Sequence, residues 1–389
     1  MRQVGSQRIV GFGTSVFTEM SRLATEHHAI NLGQGFPDFA GPDFVKEAAA
    51  RAIAADQNQY APSHGTPRLR RAVASDWAAR FGVDVDPDRE VTVTTGATEA
   101  LFAAMLAFLD SGDEVIFFEP FYDGYVADVV MAGGVPRVVR LHPPDWSFDE
   151  DELRAAFTPR ARLLLLNTPH NPTGKVFRRA ELALIAALCN EHDITVLSDE
   201  VYDRIVYDDH EHLPIALLPG MAERTLTINS TGKTFSMTGW KIGYTIGPAE
   251  LNAALRSVHQ FVVFATATPF QEAMAEAIEQ ASERDYYHEL RVGYAERRDR
   301  LRSVLADAGL RPLDCQGSYF LLADITAWGF HDDVEFCRYL TRDVGVAAIP
   351  PSAFYLDPAT APPLARFCFA KRLETIDAAA ERLITARPG

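Results

Sequence analysis

Between residues 90 and 250 the chain alternates short runs rich in valine, isoleucine and leucine with stretches of helical periodicity, and this alternation limits the fold more than any other feature. The apolar runs do not alternate with polar residues. A strand written that way is covered on both faces, the condition of a mostly parallel sheet flanked by helices. The pattern predicts strands over 90–95, 114–119, 136–141, 162–167, 194–198, 225–229 and 240–246, with helices over 98–110, 122–131, 149–157 and 180–191 between them. Beyond residue 249 the chain turns helical, with a long charged stretch over 286–308. Shorter apolar runs over 317–323, 344–349 and 365–370 read as a smaller α/β unit. No repeat, low-complexity segment or flexible linker interrupts the chain, and the transition near residue 290 reads as a continuous helix.

A chain of 389 residues is long for one domain and suits one large and one smaller domain. Its net charge of −16 repels phosphate backbones and acidic membrane surfaces, so nucleic acid and membrane are not expected partners. The first ten residues lack the apolar stretch of a secretion signal, and the longest apolar run, residues 100–109, is far short of a membrane span. The cysteines at 189, 315, 337 and 368 are widely separated and read as the reduced thiols of a cytoplasmic protein.

In open α/β sheets ligands gather at the C-terminal ends of strands, and two strand ends carry chemistry here. Lys233 follows the run 225–229 in Ser230-Thr-Gly-Lys-Thr-Phe235. Desolvation at such a position lowers an amine's pKa from about 10.4 and makes it a usable nucleophile and base. Gly232-Lys233-Thr234 also matches the tail of a nucleotide phosphate loop, but that motif needs a glycine at position 227, which is Thr. Asp199 closes Ile194-Thr-Val-Leu-Ser-Asp199, where a carboxylate can pair with a protonated pyridine nitrogen. An activated lysine opposite such a carboxylate is the equipment of a pyridoxal phosphate enzyme. Tyr202 and Asn171 are placed to reach the ring's phenolic oxygen. Asn171 and Asp199 also have plainer readings: Asn171-Pro-Thr-Gly174 is turn chemistry, and an Asp after a strand is often a helix cap.

The ordered series of motifs resembles the class I/II aminotransferases of the fold-type-I pyridoxal phosphate enzymes. It runs from Asn31-Leu-Gly-Gln-Gly-Phe-Pro-Asp38 through Asn58-Gln-Tyr60, Thr95-Gly-Ala-Thr-Glu-Ala100, Glu119-Pro-Phe-Tyr122, Asn167-Thr-Pro-His-Asn-Pro-Thr-Gly174, Asp199-Glu-Val-Tyr202, Ser230–Lys233 and Thr238-Gly-Trp-Lys241 to Arg366-Phe-Cys-Phe369. The resemblance implies an α/β fold with a large cofactor-binding domain over 45–290, and a small domain built from 1–44 together with 291–389. It implies a Schiff base between Lys233 and pyridoxal 5'-phosphate, with Lys233 then moving the proton. Gly96, Ala97 and Thr98 at a helix N-terminus, with Ser230 and Lys241, would hold the phosphate. Tyr122 would stack on the ring, although alone it reads more readily as a core aromatic. Tyr60 is similar to the tyrosine that crosses to the partner's phosphate, which implies a homodimer with shared sites. Arg366 would grip the substrate carboxylate in a bidentate fork beside Gly35. The resemblance also implies cis peptides at Glu119-Pro120 and Asn171-Pro172.

Within the family the chain resembles kynurenine aminotransferase / glutamine transaminase K, methionine aminotransferase and N-succinyldiaminopimelate aminotransferase. Markers are Glu119-Pro-Phe-Tyr-Asp123, Lys233-Thr-Phe-Ser-Met-Thr-Gly-Trp-Lys241 and Val258-His-Gln260. Phe17, Phe36, Tyr122, Phe264 and Phe354 are candidates for an aromatic pocket lining, with Phe17 and Phe264 foremost. Such a lining suits glutamine, methionine, kynurenine or phenylalanine, with a 2-oxo acid as acceptor. Thr98 and Ala265 depart from the aromatic residue and histidine of animal kynurenine aminotransferases. The same chemistry allows a cysteine-S-conjugate β-lyase side activity. Regulators on this fold carry an extra N-terminal DNA-binding domain, whereas the pattern here begins near residue 14. No metal is expected: Asp208-Asp-His-Glu-His212 reads as a solvated loop, His170 as a loop hydrogen bond, and Gly11-Phe-Gly13 is no dinucleotide fingerprint.

Overall fold

The computed structural model describes residues 5–388. Its centre is a seven-stranded sheet of β1 (Val91–Thr95), β2 (Glu114–Glu119), β3 (Val135–Arg140), β4 (Ala161–Asn167), β5 (Thr195–Asp199), β6 (Thr225–Ser230) and β7 (Ile242–Ile246), in the order β1-β7-β6-β5-β4-β2-β3. All neighbouring pairs are parallel except those made by β7, which runs antiparallel to both β1 and β6. Leu163 to Leu166 and Val196–Leu197 are fully buried because helices cover both faces of the sheet. Truncating one of these leucines to alanine would cost about 2–5 kcal/mol.

The topology decides where the chemistry collects. In the parallel strands, Thr95, Glu119, Asn167, Asp199 and Ser230 all stand at C-terminal ends, so they share one edge of the sheet. The antiparallel β7 begins at that same edge, which brings Lys241, the residue before it, to the same place. The predicted helix over 98–110 instead begins at Gly96 and runs to Phe108. Gly96, at φ +72°, turns the chain without a loop and moves the helix N-terminus to the strand end. The strand predicted over 240–246 starts two residues later, because Thr238–Trp240 form a 3₁₀ turn and Lys241 takes a left-handed conformation. The helix predicted over 122–131 spans Gly124–Ala132.

The C-terminal part holds a three-stranded antiparallel sheet in which β8 (Phe320–Asp324) lies between β9 (Leu364–Cys368) and the two residues Arg311–Pro312. Ile30–Asn31 pair in parallel with Val346–Ala347, and Leu32 accepts a bond from the Cys368 amide. One apolar core joins Met20, Leu23 and Leu32 to Leu301, Phe336 and Leu383. Helix Tyr286–Asp307 runs unbroken through residue 290. All four cysteines are free and buried. Among the described residues, no helix is long and apolar enough to cross a membrane.

Candidate active site

A cavity of about 290 Å³ opens at the shared strand edge, lined by residues from every strand end named above except Thr95 and Glu119. Lys233 sits on a four-residue helix, Thr231–Thr234, capped by the Ser230 hydroxyl accepting from the Gly232 amide. Burial lowers its pKa to about 8, against smaller upward pulls from Cys368 and Asp199. Its Nζ donates to the Tyr319 hydroxyl at 2.9 Å, and that hydroxyl donates to the Gly35 carbonyl at 2.6 Å.

Asp199 is buried, and burial raises its carboxyl to about 6 even though the Tyr125 hydroxyl donates to Oδ2 at 2.6 Å. A buried carboxylate held that far above its usual range lacks a cation, and a protonated ring nitrogen would supply one. Asn167 fixes the backbone around it, donating from Nδ2 to the Asp199 carbonyl and accepting the Asn171 amide on Oδ1. Tyr202 lines the cavity with its ring edge-on to Tyr319 at 5.1 Å. Burial, with help from Asp123 and Asp128, raises Tyr122 to about 12, so its phenol stays neutral.

The phosphate end is built from the first turn of Gly96–Phe108. No side chain caps this helix, which leaves its first N–H groups for a ligand. Lys241 Nζ donates to Thr98 Oγ1 at 3.1 Å, and a Cβ on Gly96 would lie 3.2 Å from that same Nζ. Ser230, Ala97 and Thr238 complete the cup. A helix N-terminus, a hydroxyl and an ammonium make a site for a phosphate dianion, and the whole cavity fits pyridoxal 5'-phosphate: an amine at one side, a carboxylate awaiting a cation, and an anion cup.

Arg366 projects from β9 and is 1% exposed. Its Nη1 donates to Asn171 Oδ1 at 3.0 Å and its Nη2 to the Gly33 carbonyl at 3.1 Å, while Nε has no partner. Phe320, Phe17 and Phe354 surround the guanidinium at 4.0, 5.1 and 5.2 Å. Desolvation lowers its pKa to about 10, which leaves it charged at neutral pH. A buried, incompletely paired guanidinium at a cavity wall is a receptor for a carboxylate.

The structure thus gathers Gly35, Gly96, Ala97, Thr98, Tyr122, Asn171, Asp199, Tyr202, Ser230, Lys233, Lys241, Arg366 and Phe17 around one cavity. It does not bring Tyr60 or Phe264 there. They stack edge-to-face at 5.1 Å on the surface, 84% and 52% exposed. Phe36 is also exposed, beneath the Lys371 ammonium, and Phe354 lies buried behind Phe17, so neither is a wall of the cavity. The segment 208–212 is an exposed loop over Asp208–Glu211, as expected, with Asp208 paired to Arg298; only the His212 ring turns inward, meeting Glu200 at 2.7 Å. No group of three or more metal-binding side chains occurs among the described residues. His170 bonds Thr173 at 2.8 Å, and burial lowers it to about 3. Both peptides expected to be cis are cis. Sequence reading missed Tyr125, Asn167, Phe320 and Tyr319. Asn167 was visible as a strand end, but no spacing points from Tyr319 to Lys233.

The model of the family described as aminotransferase class I and II matches residues 27–383. The chain is 44% identical over 380 residues to a methionine aminotransferase of Escherichia coli, covering 98% of each. It is 47% identical over 387 residues to a probable N-succinyldiaminopimelate aminotransferase of Mycobacterium tuberculosis, covering 97% of each. It is 42% identical to human kynurenine–oxoglutarate transaminase 1, covering 98% of each. A solved Escherichia coli structure with identified methionine aminotransferase function matches with TM-score 0.95 at 43% identity, covering 99% of this chain and 100% of that one. The Mycobacterium tuberculosis enzyme gives 0.94 at 47%, covering 98% and 100%. With that similarity spanning the whole length of the relatives and a cavity that suits the family's cofactor, the chain belongs to aminotransferase class I and II and is a pyridoxal 5'-phosphate-dependent aminotransferase.

Proposed function

We propose that the amino donor is a neutral or aromatic L-amino acid of the glutamine, methionine, kynurenine or phenylalanine type, with a 2-oxo acid as acceptor in a ping-pong cycle. The observation that carries this reading is the inventory of cations. Only Lys233, Lys241 and Arg366 line the cavity among the described residues. Lys241 stands at the phosphate cup and Lys233 is the reacting amine, which leaves Arg366 for the α-carboxylate and nothing for a second one. The remaining wall near Arg366 is Phe17, Phe320 and Tyr122.

Pyridoxal 5'-phosphate supplies the electron sink that makes the substrate Cα–H acidic. Lys233, neutral in part because burial lowers its pKa to about 8, takes that proton on Nζ and hands it on. Arg366 would hold the carboxylate, Asp199 would supply the negative charge for a protonated ring nitrogen, and Asn171 and Tyr202 would hold the ring's phenolic oxygen. Tyr60 and Phe264, paired and exposed, are supplied to the partner's cavity in a homodimer. The division into residues 45–290 and 1–44 with 291–389 is supported by the pairing of Ile30–Asn31 with Val346–Ala347. We place the enzyme in the cytoplasm, its four cysteines being unpaired.

The 47% identical relative favours a second reading, amino transfer to or from a succinylated diamino acid. One spectrum separates the two. Glutamine, methionine and kynurenine are added singly to holoenzyme without a keto acid, and the long-wavelength cofactor band is followed. Bleaching by any of them supports the first reading; a band that all three leave intact, and that N-succinyldiaminopimelate bleaches, overturns it. Pyruvate release from a cysteine S-conjugate under the same conditions tests the β-lyase side activity.

A further inference from the structure

We propose that Tyr319 is a positioning residue for Lys233, receiving the lysine amine whenever that amine is free and tying its aim to the backbone segment that also holds Arg366. The inference rests on Lys233 as the reacting amine, not on the identity of the substrate.

The phenol has one proton, and its oxygen meets three groups: the Gly35 carbonyl, the Lys233 amine and the Tyr202 hydroxyl. The Gly35 carbonyl can only accept, so the Tyr319 proton is committed to it at 2.6 Å. Only lone pairs remain for Lys233, whose Nζ donates to them at 2.9 Å. The direction of the pair is therefore fixed: Tyr319 accepts from lysine and does not protonate it. An acceptor at this distance favours the ammonium over the neutral amine. In one half-reaction the substrate Cα–H bond breaks as Nζ–H forms, and the ammonium would then give that proton to the cofactor carbon that receives the amino group, which regenerates the neutral lysine. Tyr319 steadies the proton-loaded form between those two transfers.

The ring cannot drift. Tyr202, Tyr294 and Phe320 contact it with centroids 5.1, 5.9 and 4.9 Å away. Ser318, at φ +63° and fully buried, gives its amide to the Ile205 carbonyl, and its carbonyl accepts from the Tyr207 hydroxyl at 2.7 Å. The Tyr319 carbonyl accepts the Phe369 amide. Gly35 also has a reason to be glycine here, since a Cβ would lie 2.8 Å from the Phe320 ring. Two residues away, the Gly33 carbonyl accepts from Arg366. The residues from Gly33 to Gly35 thus touch the carboxylate receptor and, through Tyr319, the lysine. Seating of the substrate carboxylate and the aim of the base share one support.

The test compares Tyr319→Phe with Tyr294→Phe, whose buried hydroxyl is bonded to neither Lys233 nor Gly35 and serves as the control. The first readout does not use activity. Lys233 in the full-length, cofactor-free chain is acetylated competitively with acetic anhydride across pH 6–11, and its peptide is quantified by mass spectrometry. Cys368, Asp199, Lys241 and Arg366 set the baseline in both variants. Loss of the acceptor moves the Tyr319→Phe midpoint down by about one pH unit, and Tyr294→Phe leaves it in place. The second readout is single-turnover reaction of the holoenzyme with an amino donor. The Tyr319→Phe rate falls roughly 10- to 100-fold with substrate affinity within about threefold, and the isotope effect with α-deuterated donor rises. An unmoved labelling midpoint, or a loss expressed only in affinity, overturns the proposal. Should Tyr319→Phe fail to fold, 4-fluorophenylalanine at position 319 keeps the shape and replaces the hydroxyl by a poor acceptor that cannot ionise. It must move the midpoint the same way, and no movement refutes the role.

Discussion

Replacing Arg366 by lysine keeps a positive charge while removing the fork, and this isolates what the guanidinium geometry contributes. In the protein the fork spends one nitrogen on Asn171 and one on Gly33, with the planar head pressed against Phe320 at 4.0 Å. A carboxylate docking there gains two parallel charge-assisted bonds where an ammonium offers one. A hydrogen bond to a charged group contributes about 1.5–3 kcal/mol, so losing one corresponds to a rise in KM of roughly 10- to 150-fold. The carboxylate does not react, so the contact is the same in ground and transition states, and kcat changes by less than about threefold. Steady-state kinetics over several amino acids read the effect, with the decarboxylated amine of one substrate as control. The amine never engages the fork, so Arg366→Lys leaves its kcat/KM within about twofold. The reasoning is refuted if KM for the amino acids stays within about twofold of wild type, or if the amine loses as much as the amino acid.

Lys233→Ala abolishes turnover while the phosphate cup still retains the cofactor, checked by activity and by the absorbance of the gel-filtered protein; retained turnover refutes the assignment of the base. Asp199→Asn has opposite effects with and without cofactor. The folded carboxyl at about 6 lies above its unfolded value of 3.8, so the ionised form weakens the fold above pH 6 by up to about 3 kcal/mol, and the penalty fades as pH falls from 6 to 3.8. Cofactor-free Asp199→Asn is therefore more resistant to urea than wild type at pH 7.5 and equal to it near pH 4, whereas the holoenzyme loses roughly 100-fold or more in kcat. Gly96→Ala forces a side chain into φ +72° against Lys241, which costs about 1–2 kcal/mol. Cofactor affinity, measured by fluorescence titration, falls roughly tenfold. Tyr60→Ala lowers activity without removing any group from its own chain's cavity, and mixing it with Lys233→Ala restores activity if sites are shared between subunits.

Strand-end chemistry was legible in sequence because it depends on local pattern. An unbroken apolar run ending in Asp199, and another followed by Ser230–Lys233, state both a buried strand and where it stops. The order of motifs carried the family for the same reason, since each is a short stretch that holds its shape by itself. Boundaries were less legible. Gly96 folds strand into helix with no intervening loop, and Lys241 adopts a left-handed turn that an unbranched lysine does not announce.

Tertiary structure alone decided which aromatic rings serve the cavity. Phe17, Phe36 and Phe354 look equivalent as residues, yet only Phe17 lines it, because Phe354 packs behind it and Phe36 turns to solvent under Lys371. The Lys233–Tyr319–Gly35 chain was equally invisible. Its members come from three segments, spaced by 86 and 284 residues. Sequence determines which residues end a strand or open a helix, because those states depend on near neighbours. It does not display a hydrogen bond between distant segments, because that bond exists only once packing has fixed both ends.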